Sequence, residues 1–398
     1  MPGYELIGAE ERDAILEWFD ASNGVMFAHG FDKRRNGVFK VREFEAAVAA
    51  TVGAKHALAV SSGSAALLVA LRALGVNPGD EVIVPSFTFV ATVEAILESG
   101  ETPVIVEVDR SLTMAPQQLR AAMTPRTRAV VPVHMAGSAA DMNRILEVAD
   151  EHHVPVLEDA AQGFGGTYGG RHLGTIGDVG VYSFDFAKNI TTGEGGAIVT
   201  NNTALFERAR ALHDHGHEYN AALPRGRDTR SAPGFNFRMT EMQAAVGLAQ
   251  LKKLPVILER QRANKAAIKE GIRASGIEFR HLHDSDGDIA DTLIFFLESE
   301  QKAVRFAEDL GRKGIGTKNL PDALDWHFAG TWQHLLGPLR CEAGDAGPEY
   351  GCACRRDAAG CPCGTLLRRA IALPVNVNMS PEEIRNVMEF HLVEDVDE

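Results

Sequence analysis

The stretch GVYSFDFAKNITTGEGGAIVTNN, residues 180–202, places two short apolar runs on either side of one lysine, Lys188, and a glycine-rich turn. Residues 181–184 and 197–200 have the length and composition of strands, and Thr191, Thr192, Gly193, Glu194, Gly195 and Gly196 between them are turn chemistry. Lys188 is therefore expected on a tight connection and not on a helix face. A lysine whose pKa is lowered by a desolvated or cationic setting can form a Schiff base with a carbonyl compound. A lysine taken alone is more simply a solvated surface group, so the rest of the chain has to decide.

Working outward, residues 54–200 alternate short β-type runs with helical patterns, the mark of a parallel or mostly parallel α/β sheet. Strands are expected at 56–60, 81–84, 103–107, 129–134, 154–158, 181–184 and 197–200, with helices at 64–74, 88–98, 116–123 and 140–152. Such sheets bind ligands at the carboxyl ends of their strands. Three of those ends carry candidate chemistry.

The first expected strand runs into Ser61-Ser62-Gly63-Ser64-Ala65 and opens a helix. Unpaired amides and the positive end of the helix dipole would make a phosphate cradle there, although a plain N-cap accounts for Ser62 or Ser64 equally well. The second ends in PSFTFVAT, residues 85–92, where Phe89 would stack on a flat heterocycle or simply join the core. The fifth ends in Glu158-Asp159-Ala160-Ala161-Gln162. A carboxylate such as Asp159 would keep a pyridine nitrogen protonated through a charge-assisted hydrogen bond, and Gln162 would bond a ring substituent; a helix-start acid is the plainer alternative. Ser183, five residues before Lys188, would reach the same anion as Ser64.

Length and composition set bounds on these readings. A chain of 398 residues suggests two domains, and 45% hydrophobic with 24% charged residues is ordinary globular composition. The expected division is 1–254 for an N-terminal segment and large domain, then 255–398 for a smaller α/β domain beginning with a charged helical connector. A helix is expected from about Glu241, capped by Thr240. In the second domain, strands are expected near 292–297 and 370–373 and helices near 302–312 and 381–390. A net charge of −14 opposes non-specific binding to nucleic acid or anionic membrane. The basic clusters Lys33-Arg34-Arg35 and Arg225-Gly226-Arg227 with Arg230 read as solvated surface. The N-terminus lacks the pattern of a signal peptide, which suggests a cytoplasmic protein. All five cysteines fall in 341–363. CAC at 352–354 and CPC at 361–363 depart from the usual thiolate spacing for zinc, so free thiols on a loop are expected and no metal site.

Taken together, these motifs resemble the DegT/DnrJ/EryC1/StrS family of sugar aminotransferases, which depend on pyridoxal 5′-phosphate (PLP). The resemblance is carried by VSSGSAAL at 60–67, GDEVIVPSFTFVAT at 79–92, LEDAAQGFGG at 157–166, residues 177–202 and GFNFRMTEMQAAVGLAQL at 234–251. It implies fold type I, with a large mixed-sheet domain, a smaller C-terminal domain, and a homodimer whose sites are shared. It implies that Lys188 is the Schiff-base lysine and that Asp159 faces the pyridine nitrogen. Gln162 would then lie near the phenolic oxygen, Phe89 would be the stacking ring, and Gly63, Ser64, Ala65 and Ser183 would bind phosphate. Asn236 would reach the neighbouring subunit's phosphate. Members with histidine at the lysine position are dehydratases, so lysine favours transamination from an amino-acid donor to a keto or aldehyde sugar.

Further segments resemble a branch of that family that aminates an oxidised Kdo-type sugar: MPGYEL at 1–6, TPRTRAV at 124–130, VHMAGS at 133–138, LGTIGDVG at 173–180, DHGHE at 214–218 and QRANKAAIK at 261–269. An acidic sugar would call for cations, with Arg225, Arg227 or Arg230 as candidates. The alternatives are a dehydratase or oxidase using the same cofactor, or a silent ligand-binding relative. Asp185 and Phe186 stand where the wider family often has His-Pro, which bears on what lines the pocket.

Overall fold

The computed structural model describes residues 3–273, 277–320, 326–336 and 362–388. Its centre is a mixed sheet built from β1 (His56–Val60), β2 (Glu81–Pro85), β3 (Thr102–Val106), β4 (Thr127–Val130), β5 (Leu157–Asp159), β6 (Val179–Ser183) and β7 (Gly196–Thr200). β2 pairs in parallel with both β3 and β4, and β5 pairs in parallel with β6. Parallel bridges Val130↔Val156 and Val133↔Asp159 join the two halves, giving the order β3-β2-β4-β5-β6-β7-β1. β7 runs antiparallel to both neighbours. That reversal follows from the turn at 191–195, which sends the chain straight back beside β6.

The expected strands are all present, β1 at its expected bounds and the others with shifted ones. β4 ends at Val130, four residues short of the expected end, and β5 begins at Leu157, because here the neighbouring strands touch through isolated bridges. The sheet's residues are almost entirely buried, so the strands read as continuous apolar runs. Helices α1 (Ala9–Ala21), α2 (Lys40–Val52), α3 (Gly63–Leu74), α4 (Val90–Ser99), α5 (Pro116–Ala122), α6 (Met142–Glu151) and α7 (Thr203–Leu212) surround it, with α1 in an outer position. One core gathers Phe44, Phe164, Tyr182 and Phe184, whose rings meet edge to face. The other is aliphatic, with Leu67, Leu71, Val84, Ile96 and Ile198. Burying a ring such as Phe184 contributes about 2–3 kcal/mol.

Helix α8 (Glu241–Arg273) begins where Thr240 predicts: the Thr240 N–H and hydroxyl both reach the Gln243 side chain, at 2.9 and 2.7 Å. It is a single helix of 33 residues, and Pro255, the expected boundary, lies inside it. Its first half rests against α1 and α2, while Ile268 and Ile272 belong to a separate core with Phe295, Phe306 and Leu373. That second core covers an antiparallel sheet of β8 (Glu278–Phe279), β9 (Thr292–Phe296), β10 (Lys318–Asn319) and β11 (Ala370–Pro374).

Two expectations about charge are corrected. Arg35 is not a solvated residue; it is fully buried, paired with Glu241 at 3.0 Å and lying 4.0 Å from the Phe39 ring. Arg225 is only half-exposed and forks onto buried Asp214 at 2.6 and 2.7 Å. Each arginine supplies the positive charge that a buried carboxylate requires. No helix among the described residues is long and apolar enough to cross a membrane, and among them no cluster of side chains suits a metal ion. Of the cysteines only Cys363 lies within the described residues, and it corrects the loop expectation: it sits in the helix Pro362–Arg368, buried 3.4 Å from the Ser86 hydroxyl, and burial pushes its thiol up to about 11.

Candidate active site

Adjacent acids on β5 have separate tasks because side chains alternate across a strand. Glu158 turns into the protein and gathers N–H groups of Gly174, Ile176 and Gly177 at 2.8, 2.5 and 2.6 Å, with His134 Nε2 at 2.9 Å. The Ala140 N–H donates to His134 Nδ1, so Nε2 carries the proton and donates to Glu158. Glu158 thus ties the 173–177 loop to the sheet.

Asp159 ends β5, with its backbone bridged to Pro132 and His134. Its carboxylate is buried and takes hydrogen bonds from the Thr92 hydroxyl at 2.7 Å and the Ala161 N–H at 3.1 Å. Burial raises its pKa, against the pull of those bonds and of the Lys188 charge. Thr92 in turn meets Thr88 at 2.7 Å, so the acid is positioned from the start of α4. Gln162 is buried nearby and its Oε1 accepts the Ala136 N–H at 2.9 Å, holding the turn 135–137, where Ala136 has a φ of +50°.

Lys188 sits on the expected turn. Asp185 builds it: its carboxylate accepts the Ala187 N–H at 2.9 Å and its carbonyl the Lys188 N–H at 3.0 Å. Asn189 and Ile190 then plunge into the interior and anchor the far side. Gly193, with a φ of +83°, turns the chain, and Thr191 and Thr192 bond back to the Phe184 carbonyl.

At the start of α3 the cap is Ser62, whose hydroxyl accepts the Ala65 N–H at 3.0 Å, while Ser64 is exposed one turn position on. The Ala65 amide is thereby engaged, and the amides of Gly63 and Ser64 are left outside the helix ladder. Ser183 abuts this turn so closely that a Cβ on Gly63 would stand 2.8 Å from the Ser183 Cβ. Phe89 is not a core residue: it is 40% exposed at the N-cap of α4, stacked on Trp326 at 6.2 Å. Asn236 is exposed, and the segment it opens lies along the end of β1, where the Ser61 N–H meets the Phe237 carbonyl at 2.7 Å. A cavity of about 590 Å³ opens between α3 and α4, touching Ser62, Ser64 and Ala65 but not Asp159 or Lys188.

Thr92, His134 and Ala136 carry no role in the sequence reading. Thr92 stands in a quoted motif four residues after Thr88, a helical spacing, and His134 and Ala136 stand in the quoted segment VHMAGS.

These residues fit PLP on the structure's own terms. Asp159 is a buried acid suited to a cationic ring nitrogen, Gly63 stands where a side chain would strike Ser183, and Phe89 is a partly exposed ring at the start of α4. The mixed sheet is the fold type I architecture of PLP-dependent aminotransferases. The chain belongs to the DegT/DnrJ/EryC1/StrS aminotransferase family, whose profile matches residues 33–330. It is 46% identical over 251 residues to GDP-perosamine synthase of Caulobacter vibrioides, covering 62% of this chain and 63% of that one. Against the spore coat polysaccharide biosynthesis protein SpsC of Bacillus subtilis it is 37% identical over 360 residues, 88% of each chain. Its fold superposes on 3-amino-5-hydroxybenzoic acid synthase with a TM-score of 0.82 at 28% identity, over 98% of this chain and 97% of that one.

Proposed function

We propose that the enzyme transfers an amino group from an amino acid, L-glutamate, to a keto or aldehyde sugar, and that the acceptor is an oxidised Kdo-type sugar. The observation that carries the reaction type is the buried Asp159 at the end of β5, close enough to Lys188 for the lysine's charge to lower its pKa. PLP, when bound, supplies a carbonyl that exchanges amino groups and a ring that takes up the electron pair left at the reacting carbon. Asp159 keeps the ring nitrogen protonated, and Thr92 and Ala161 hold the carboxylate still. Phe89 would stack on the ring, Gln162 would bond its oxygen substituent, and the amides of Gly63, Ser64 and Ala65 with the Ser183 hydroxyl are the groups that would hold the phosphate. Lys188 Nζ would take and return the proton at the substrate's reacting carbon. A second copy of the chain supplies Asn236, so the working unit is a homodimer.

The likeness of residues 1–6, 124–130, 133–138, 173–180, 214–218 and 261–269 to the Kdo-type branch supports the acceptor, as does the kinship with sugar enzymes. Arg225 is engaged by Asp214, which leaves exposed Arg227 and Arg230 as the cations for an acidic sugar. The test is a screen of keto and aldehyde sugars, the aldehyde derived from Kdo included, for amine transfer from glutamate. Conversion of bound PLP to pyridoxamine phosphate by glutamate, lost in Lys188→Ala, is the expected result. Wild-type protein that binds PLP and never accepts an amino group overturns the reading in favour of a dehydratase or a silent relative.

A further inference from the structure

Two exposed aromatic rings flank the turn that carries Lys188. Phe186, two residues before the lysine, is 53% exposed, and Tyr4 is 42% exposed. Their rings stack with centroids 5.2 Å apart and planes 16° from parallel. A single exposed ring is common on protein surfaces, whereas these two are stacked on each other beside the turn of the lysine.

This patch is fixed in place. The Gly3 N–H donates to the Lys188 carbonyl at 2.7 Å, and a Cβ at Gly3 would come within 2.5 Å of that oxygen, so only glycine permits the approach. Tyr4 is thereby tied to the backbone of the lysine itself. The following residues hold the segment from the other side: the Glu5 carboxylate accepts the N–H groups of Val377 and Asn378 at 3.4 and 3.0 Å, and the Leu6 carbonyl accepts Lys253 Nζ at 2.6 Å. On the Phe186 side, Asp185 fixes the turn through the Ala187 amide.

We propose that Tyr4 and Phe186 form a platform that receives the apolar face of the sugar acceptor's ring beside Lys188. The proposal rests on the sugar-aminotransferase reading and names a binding surface for it. One face of a pyranose is lined by C–H bonds, which carry slight positive charge and pack against the negative face of an aromatic ring. The hydroxyls at the ring's edge stay free for polar partners. Because the Gly3 bond joins the platform to the backbone of Lys188, a sugar seated there is held in a fixed relation to the turn that carries the lysine. An amino-acid donor has no such face and does not use the platform.

The two half-reactions separate the possibilities. Tyr4→Ala and Phe186→Ala are compared with wild type and with Tyr4→Phe, which keeps the ring. The donor half-reaction is read as conversion of bound PLP to pyridoxamine phosphate by L-glutamate. The acceptor half-reaction uses the aldehyde derived from Kdo, or the sugar wild type consumes in the screen. Affinity of the aminated sugar product for cofactor-free protein is measured by calorimetry. The expected result is a rise of about tenfold in the sugar concentration needed and in the product's dissociation constant, equal to ~1.4 kcal/mol, for both alanine variants. The donor half-reaction changes less than about twofold, and Tyr4→Phe behaves as wild type. Equal losses in both half-reactions, an unchanged acceptor half-reaction, or dissociation of the variants on size exclusion overturns the platform. Wild-type protein that fails the donor half-reaction overturns instead the reading on which it rests.

Discussion

The Thr92 hydroxyl on α4 donates a 2.7 Å hydrogen bond to the buried carboxylate of Asp159 at the end of β5. Burial raises the pKa of Asp159, and this bond is the first of the interactions that lower it. Thr92→Val keeps the shape and removes the donor, so the carboxylate becomes harder to ionise. PLP affinity is expected to fall about tenfold, in line with the ~1–1.5 kcal/mol of one such bond, while the far-ultraviolet circular dichroism stays unchanged. Titration followed by the cofactor's visible absorption reads the affinity, and an unaltered constant would show that Thr92 does not tune the acid.

Gly63 and Ser183 make a second pair whose contact is set by size. A Cβ at Gly63 would sit 2.8 Å from the Ser183 Cβ and 3.1 Å from its hydroxyl. Gly63→Ala is expected to cost about 1–3 kcal/mol and to weaken binding of PLP. Gly63→Ala combined with Ser183→Gly restores the space, and denaturant unfolding should recover most of the stability. No recovery would place the cost in the backbone instead.

Asp214 is buried between Arg225, Arg238 and the Tyr219 hydroxyl. Burial pushes its pKa up, but hydrogen bonds from Arg225 and Tyr219 and the charge of Arg238 outweigh it and hold the carboxylate well below its usual range. A depressed acid stabilises the fold at every pH above its unfolded value near 4, and that stability is lost as the pH falls through the folded value. Asp214→Asn strands two guanidinium groups and is expected to cost about 3–5 kcal/mol at neutral pH. Thermal denaturation at neutral pH measures it, and a loss under about 1 kcal/mol would mean the arginines find solvent.

His213 gives pH dependence of the same sense in a higher window. Burial is the main cause that lowers its pKa to about 4, and its Nδ1–H donates to the Arg210 carbonyl. A histidine depressed in the folded state is neutral there while the unfolded chain takes up a proton below about pH 6.5, so stability falls as the pH drops from that value toward 4. His29 shifts the same way, again chiefly by burial. The thermal midpoint is expected to fall between about pH 7 and pH 5, with a shallower fall in His213→Gln. Identical slopes for the two proteins would assign the pH dependence to other groups.

Much of the site is legible in sequence where a residue's place follows from local pattern. Apolar runs of strand length put Asp159 at the end of β5, and the TTGEGG turn puts Lys188 on a tight connection, because strand alternation and glycine turns act over a few residues. Ser62 and Ser64 were equal candidates for the cap, and only the path of the chain into α3 decides for Ser62. Phe89 reads as readily as a core residue, since its exposure depends on what 326–332 leave open. Residue 255 reads as the start of a second domain on a helical connector, yet one helix, α8, runs through Pro255, its two halves held by separate cores.

The sequence by itself determined the order of strands and helices, the lysine turn and the acid that ends β5. These rest on interactions between neighbours in the chain. The tertiary structure alone decided that Arg35 is buried against Glu241, more than two hundred residues away in sequence, that Thr92 sets Asp159, and that Tyr4 reaches the lysine turn through Gly3. Each of these joins segments far apart in sequence, and their approach is set by the packing of whole elements, which no local pattern records.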